Sequence, residues 1–344
     1  MNFSVDSLLR LAADALASQT VPAPDAELTA RSLVQADQRG IHSHGLLRLP
    51  LYVDALKQGG INPRPDVTLT RDSGATALVN ADAGLGQVAM QAAVDLAIER
   101  AARHGVCVVA VEHSSHYGAG AFWTDQLVAR GMVGILTSST GPTVAVHGGA
   151  RKVLGTNPLT IAAPSGRDLP LTVDMATSAG AFGKVIAARQ SGTQIPEGWA
   201  VGADGRPTTD PNEAAAGSLL AFGGHKGSGL AVLLEALSVA LGDATFAYET
   251  QDIWDNPASR MNNGHLLIAM DTAAFIGRDR TEAKVRGLQD AIGASGDDVI
   301  LPGQIEHDNG ARWSSHVPLS DSTAAALDRL AAELGLETAA RADG

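Results

Sequence analysis

Five short apolar runs constrain this chain more than any other feature: Ala75 to Val79, Val106 to Val111, Val133 to Thr137, Leu159 to Ala163 and Leu171 to Met175. Each is too short for a core helix and carries the β-branched and aliphatic residues that suit a buried strand. Helical spacing fills two of the gaps, from about Gln87 to His104 and from Gly120 to Arg130. Strands alternating with helices place the middle of the chain in the α/β or α+β class, although strand directions do not follow from the pattern.

The flanks are different. Leu8, Leu9, Leu11, Ala12, Ala15 and Leu16 recur at helical spacing, and a second helical segment runs from Pro24-Asp25 to Gly40. A third is expected to open at Gly45 and run through Leu56, before the punctuation at Gly59, Gly60 and Pro63. Leu230 to Leu241 is apolar nearly all round, with Glu235 and Ser238 the polar exceptions, and reads as a helix buried between lobes. A strand at His265 to Asp271, a helix at Thr281 to Ile292 and a short strand at Val299 to Leu301 predict a further small unit. The last helix is capped by Ser320, Asp321 and Ser322 and carries a stripe of Leu327, Leu330, Leu334 and Leu336. That stripe needs an apolar partner, in the N-terminal helices or in another subunit. Three regions are therefore expected: 1–70 packing with 305–344, a central mixed-sheet body over 71–250, and a small α/β unit over 251–304.

With 344 residues the chain is long enough for several cores, and a cleft between lobes is the default place for a site. A net charge of −12 gives no electrostatic reason to approach nucleic acid or an anionic membrane, so an anionic small molecule would need a local basic pocket. The single cysteine, Cys107, lies inside a strand-like run and can form no intrachain disulfide, which favours a reducing compartment. No stretch has signal-peptide architecture or the length of a membrane span, and a cytoplasmic location is expected.

The densest chemistry lies in Arg39-Gly40-Ile41-His42-Ser43-His44-Gly45, followed by Arg48. Two imidazoles, a hydroxyl and a guanidinium near a helix start can bind an organic acid and move a proton. His44 and Arg48 are four apart and would share one helix face. A bland reading has the histidines satisfying backbone groups in a tight loop. Farther on, the Val106 to Val111 run delivers His113-Ser114-Ser115-His116-Tyr117-Gly118-Ala119-Gly120. Gly118 and Gly120 invite comparison with a dinucleotide fingerprint, but Trp123 stands where the third glycine belongs, so an ordinary Rossmann motif is excluded. His116 remains a candidate acid, base or ligand. Gly223-Gly224-His225-Lys226-Gly227-Ser228-Gly229 is no nucleotide-triphosphate loop, since Lys226 precedes its glycine. Its backbone amides and ammonium still form a cradle for a pyrophosphate or carboxylate, with a flexible hinge as the alternative. The pairs His42/His44 and His113/His116 lack the frame of a metal site, and no metal is expected.

Taken in order, these segments resemble the malate/L-lactate dehydrogenase family of the second type. That group also includes ureidoglycolate, sulfolactate and diketogulonate oxidoreductases and a piperideine-carboxylate reductase. The resemblance spans nearly the whole chain. It is carried by Arg39 to Gly45 with Arg48 to Tyr52, Gly148-Gly149 leading to Gly155-Thr156-Asn157-Pro158, and Asp174 to Thr177. Ile195 to Trp199, Asp204 to Pro211 and Gly224 to Gly227 complete it. The resemblance implies a non-Rossmann, mixed-sheet core that binds NAD or NADP, and a homodimer. It implies that His44 transfers the proton with Ser43 beside it, or that His116 does. Arg48 and Thr156 would touch a small anionic 2-hydroxy or 2-oxo acid, with Lys184 near it. His116, Tyr117, Gly118, Ala119, Gly120, Asp174, Met175, Ala176 and Lys226 would contact the dinucleotide, and Pro302, Gly303 and Gln304 would close over it. Lys184 stands where the imine-reducing member has an aspartate, which argues for hydroxy-acid chemistry. The Phe222 to Ser228 segment is very like that imine reductase and keeps an imine or ketone reductase in view. A metal-dependent hydrolase and a non-catalytic dinucleotide sensor are the remaining alternatives.

Overall fold

In the computed structural model, which describes residues 1–341, all five apolar runs lie in one seven-stranded sheet. Its order is Thr68–Asp72, Thr76–Asn80, Val106–Ser114, Asn263–Asp271, Met132–Ser138, Leu159–Ala163 and Leu171–Met175. Only Thr76–Asn80 and Val106–Ser114 run parallel, joined by the Gly86–His104 helix as a crossover; every other pairing is antiparallel. The mixed, non-Rossmann sheet agrees with the failed glycine fingerprint. The crossover helix buries Ala89, Met90, Ala93, Val94, Ala97 and Ala101. These small side chains at helical spacing bring its axis close to the sheet, where Cys107, Val109, Val111 and Leu267 complete the core. Trp123, on the Ala121–Ala129 helix, is fully buried in the same cluster.

A second, five-stranded sheet is built from Pro207–Thr208, Ala200–Val201, Ser218–Leu220, Val144–Ala145 and Lys152–Leu154. It has its own small core around Val144, Val185, Ile195 and Leu219. The third core is helical. The helices Val5–Ala17, Ala23–Gln38 and Leu49–Gln58 pack with Asp321–Leu334, and Asn2–Ser4 pairs with His316–Pro318. The first helices and the last described helix thus meet in one core; residues 342–344, part of the expected 305–344 region, lie outside the described residues.

Several expectations change. The strand at Asn263–Asp271, assigned by sequence to a separate unit over 251–304, occupies the middle of the large sheet. No strand forms at Val299 to Leu301, where the Leu301 amide instead donates locally to Gln304 Oε1 at 3.0 Å. The helix expected at 230–241 begins at His225, and Val232, Leu233, Leu237 and Leu241 are exposed, because the sheet covers only one of its faces. Conversely, Leu327 and Leu330 are buried against the N-terminal helices. Their stripe has its partner within the chain and needs no second subunit.

Candidate active site

The turn carrying His44 is pinned from below by Asp37, a carboxylate only 1% exposed near the end of the Ala23–Gln38 helix. Asp37 Oδ1 meets His42 Nδ1 at 2.7 Å and Oδ2 accepts the Leu46 amide at 2.7 Å. Gly45 passes so close that a Cβ there would lie 2.2 Å from Asp37 Cγ, which requires glycine. The segment consequently folds as two single 3-10 turns, His42–His44 and Leu46–Arg48, and the α-helix starts only at Leu49, with Pro50 in its first turn. The expected helix from Gly45 is displaced by this anchor. His42 is part of the anchor. Asp37 raises its pKa, while burial raises the pKa of Asp37 itself against the opposing hydrogen bonds.

His44 and Arg48 nevertheless converge. Ser43 Oγ lies 2.9 Å from His44 Nδ1, and Arg48 Nε donates to the Ser43 carbonyl at 2.7 Å. From the large sheet, the Val106–Ser114 strand delivers His116, whose ring stacks on His44 with centroids 5.3 Å apart and planes at 26°. Tyr52 Oη, from the Leu49–Gln58 helix, contacts His116 Nδ1 at 2.6 Å, and Gln87 Nε2 donates to that hydroxyl at 3.3 Å. The Gly118 amide also points at His116 Nδ1, at 3.3 Å. A backbone N–H can only donate, so Nδ1 is an acceptor and the proton of neutral His116 is assigned to Nε2. Burial, then Arg48, lowers the His44 pKa to about 3. Burial, Arg48 and His44 push His116 well below the ordinary imidazole value. Both bases are therefore neutral in the free site.

Three groups in this site were not assigned roles from the sequence. Tyr52 lay within a recognised segment but its role depends on a partner 64 positions away. Trp254 stacks on Arg48, with the guanidinium carbon 4.7 Å from its ring centre, and Asp252 lies within electrostatic reach of Arg48. Both come from a loop with no local motif. Among the described residues, Nε is the guanidinium nitrogen bonded to the protein, which leaves the outer edge of Arg48 without a protein hydrogen bond there.

The Thr156 amide and hydroxyl contact Thr140 Oγ1 at 2.9 and 3.4 Å, and its carbonyl accepts from Thr177. Asp174 is a brace: its carboxylate accepts the Ala121 amide and the Thr160 hydroxyl, both at 2.8 Å, fastening the Leu171–Met175 strand to the loop of His116 to Gly120. Burial raises its pKa against those bonds. Within that loop Tyr117, Gly118, Ala119 and Gly120 are buried, whereas Met175 is half-buried and Ala176 exposed. Pro302 and Gly303 lie against Thr172 in the same strand, the Thr172 amide reaching the Pro302 carbonyl at 3.4 Å. Gln304 supports that turn through Leu301. Among the described residues, the buried hydroxyls of Tyr117, in the loop, of Thr172, in the strand, and of Ser178, beyond it, have no hydrogen-bond partner. Lys226 is exposed in the first turn of the His225–Val239 helix, next to a cleft lined by His147, Ala179, Gly223, Gly224 and Ser228. Lys184 does not join the cluster. It is exposed on the Phe182–Ser191 helix, whose Val185 packs in the core of the smaller sheet. Among the described residues no three His, Cys, Asp or Glu side chains gather as metal ligands would.

Residues 3–328 match the model of a family described as malate/L-lactate dehydrogenase. The chain belongs to that family. L-sulfolactate dehydrogenase of Methanocaldococcus jannaschii is 40% identical over 95% of both chains. The solved structure of sulfolactate dehydrogenase from that organism superposes with a TM-score of 0.93, at 38% identity and 98% coverage of each chain. Ureidoglycolate dehydrogenase (NAD(+)) of Escherichia coli O157:H7 is 35% identical over 88% of both chains. Delta(1)-pyrroline-2-carboxylate reductase 1 of Burkholderia ambifaria is 34% identical over 91% of this chain and 92% of its own. Membership of the malate/L-lactate dehydrogenase family agrees with an oxidoreductase of small organic acids. No helix of the described residues is long and apolar enough to cross a membrane.

Proposed function

We propose that the protein is an NAD(P)-dependent dehydrogenase of a small 2-hydroxy acid, of the malate, L-lactate, ureidoglycolate or sulfolactate kind. The observation that carries this reading is the stacked pair of neutral imidazoles, His44 and His116, beside a guanidinium whose outer edge has no protein hydrogen bond among the described residues. Arg48 binds the C1 carboxylate with that edge, a planar donor pair matched to two oxygens. Docking the carboxylate offsets the positive field that helps depress both imidazoles, so substrate itself makes His44 a better base. With its Nδ1–H on Ser43 Oγ, His44 accepts the C2 hydroxyl proton at Nε2, and returns it in the reverse reaction. His116, its Nδ1 occupied, offers Nε2–H to the same substrate oxygen. Exchange of the two roles is the alternative. In this reading Thr156 also touches the substrate.

The cofactor in this reading is NAD or NADP; the Escherichia coli relative is named for NAD(+). When bound, the nicotinamide accepts a hydride from C2 or returns it. The loop of His116 to Gly120, with Met175 and Ala176, would hold it, Lys226 would serve its phosphates, and Pro302 to Gln304 would cover it. Asp174 contributes by bracing the loop, because its carboxylate is already committed. The enzyme in this reading is a cytoplasmic homodimer, in keeping with the buried thiol of Cys107 and with the exposed apolar ridge of Val232, Leu233, Leu237 and Leu241. The deciding experiment is NAD- and NADP-linked oxidation of a panel of 2-hydroxy acids, run beside reduction of cyclic imino acids. Turnover of a hydroxy acid is expected. Turnover of imines alone would make the protein a reductase, and dinucleotide binding without any turnover would make it a sensor.

A further inference from the structure

His265 is fully buried in the middle strand of the large sheet and takes no part in the chemistry above. Its Nδ1 lies 2.8 Å from Ser138 Oγ, at the end of the Met132–Ser138 strand. Its Nε2 lies 2.8 Å from Ser114 Oγ, at the end of the Val106–Ser114 strand. Two serines thus hold opposite sides of one imidazole. Ser138 Oγ donates its hydrogen to the Ser139 carbonyl at 2.7 Å, so towards His265 it can only accept. Nδ1 of the neutral ring therefore carries the proton. Nε2 then accepts the Ser114 hydroxyl, whose other acceptor, the Ser115 carbonyl, is more distant at 3.2 Å. No carboxylate is hydrogen-bonded to this ring among the described residues, and burial lowers its pKa to about 3.

Ser114 stands two positions before His116 and Tyr117 directly after it, and both rest on His265. The Tyr117 ring meets the imidazole in a T, with centroids 4.8 Å apart. Pairing between the two strands steps from His265 opposite Val111 to Asn263 opposite Ser114, which leaves one extra residue on the strand that leads to His116. His113, inside that bulge, has a φ of +52°. A bulge re-aims the chain that leaves it, and here the Ser114 hydroxyl fastens the new direction to the sheet. Ser115 is tied separately, to the Gly84 carbonyl at 2.8 Å and the Gly86 amide at 2.9 Å. We propose that His265 is a positioning residue for His116: by accepting the Ser114 hydroxyl at Nε2 it sets the angle at which the strand ends, and so where the His116 imidazole lies against His44. Ser138 fixes the tautomer that leaves Nε2 able to accept. The proposal rests on the proton-transfer reading above and adds a residue to it.

Two amides separate the two sides of the ring. His265→Asn keeps a donor near the place of Nδ1, for Ser138, and loses Ser114; His265→Gln keeps an acceptor near the place of Nε2, for Ser114, and loses Ser138. On the full chain at saturating dinucleotide, His265→Asn and Ser114→Ala are each expected to lower kcat on the order of tenfold. KM for the acid should stay within a few-fold, because Arg48 belongs to the helical region. His265→Gln is expected to keep kcat within about threefold of wild type, although urea unfolding should show both His265 variants destabilised. Ser114→Ala combined with His265→Asn should be no slower than either alone, since both cut one bond. Equal kcat losses in His265→Asn and His265→Gln, or additive losses in the double variant, would make the ring plain packing and overturn the proposal. NMR of labelled histidines supplies a readout that needs no turnover. His265 is expected to carry its proton on Nδ1 at neutral pH, and the His116 ring signals to move in Ser114→Ala and His265→Asn but not in His265→Gln. A proton on Nε2 of wild-type His265, or His116 signals unmoved by loss of the Ser114 bond, overturns the proposal, and the first of these needs no variant to fold. A wild type that oxidises no hydroxy acid while the NMR results hold overturns the functional reading alone.

Discussion

Tyr52→Phe tests whether one hydroxyl joins the two halves of the proton-transfer pair. Tyr52 is fully buried, and its oxygen lies 2.6 Å from His116 Nδ1 and 3.3 Å from Gln87 Nε2. Phenylalanine keeps the ring and deletes both bonds. Each is worth roughly 0.5–1.5 kcal/mol net, giving an expected destabilisation of about 1–3 kcal/mol for the two bonds, and Gln87, whose Oε1 has no partner among the described residues, loses its contact with the hydroxyl as well. His116 would retain only the 3.3 Å contact from Gly118, so its tautomer and ring angle loosen. We expect kcat to fall on the order of tenfold, about 1.4 kcal/mol of transition-state stabilisation, with dinucleotide affinity changed far less. Urea unfolding and steady-state kinetics on the same preparations give both numbers. Burial pushes the Tyr52 pKa up to about 12, so the phenol stays protonated at working pH and its loss should remove no limb of the pH profile. Wild-type kcat in a variant destabilised by the expected amount would refute the positioning argument and leave Tyr52 as packing.

Three further outcomes follow from the same geometry. His44→Ala is expected to abolish turnover while leaving dinucleotide affinity within a few-fold; near-normal turnover in His44→Ala together with its loss in His116→Ala would reverse the two roles. Arg48→Lys should lower kcat/KM about tenfold or more, since a point-like ammonium can neither present two parallel N–H bonds nor lie flat beneath Trp254, and an unchanged value would put Arg48 outside the pocket. Stability should fall from pH 7 towards pH 5. His44 and His265 have pKa values near 3 and His116 is also depressed, so below about 6.5 the unfolded chain binds more protons than the native one. Their contribution is present above the unfolded value and lost as pH falls. His42 acts oppositely, its raised pKa adding stability that disappears as pH rises through the folded value, and the raised pKa values of the buried Asp37, Asp174 and Glu235 carboxyls oppose the three histidines in the same sense. A urea midpoint that climbs on acidification would show that these groups outweigh the depressed histidines.

What the sequence made legible is what local pattern controls. The five strand runs, the crossover helix and the chemical residues His44, Arg48 and His116 all follow from short-range spacing, and the structure brings those three together. The loss of a Rossmann reading was legible too, because Trp123 fills a position that the fingerprint reserves for glycine. The errors arise where a distant group decides. Asp37 replaces the expected helix start at Gly45 with two tight turns, and the central place of Asn263–Asp271 depends on pairing with strands more than 120 residues earlier. Asp252 and Trp254 lie in a loop whose only unusual property is where it packs. Lys184 was drawn in by its place beside a family motif, yet its helix belongs to the smaller lobe. Asp174 was in the right neighbourhood for a different reason, as the cap of the Ala121–Ala129 helix.

The same distances explain why the proton-transfer pair sits at a boundary rather than within one core. His44 belongs to the helical region, where Asp37 fixes its turn, and His116 belongs to the large sheet, at the end of a strand buried along most of its length. Neither region alone places one imidazole against the other. Tyr52 belongs to the helical core and bonds the sheet's histidine, while Trp254 and Asp252 bring a third segment onto Arg48. A small shift of the helices against the sheet would therefore lengthen a 2.6 Å bond, unstack the imidazoles and move Arg48 relative to both. Catalytic geometry of this kind depends on the packing of whole cores. Core substitutions such as Leu330→Ala, far from the chemistry in sequence, should accordingly reduce kcat before they unfold the chain, and a variant that loses several kcal/mol of stability with undiminished kcat would show the two regions to be independent.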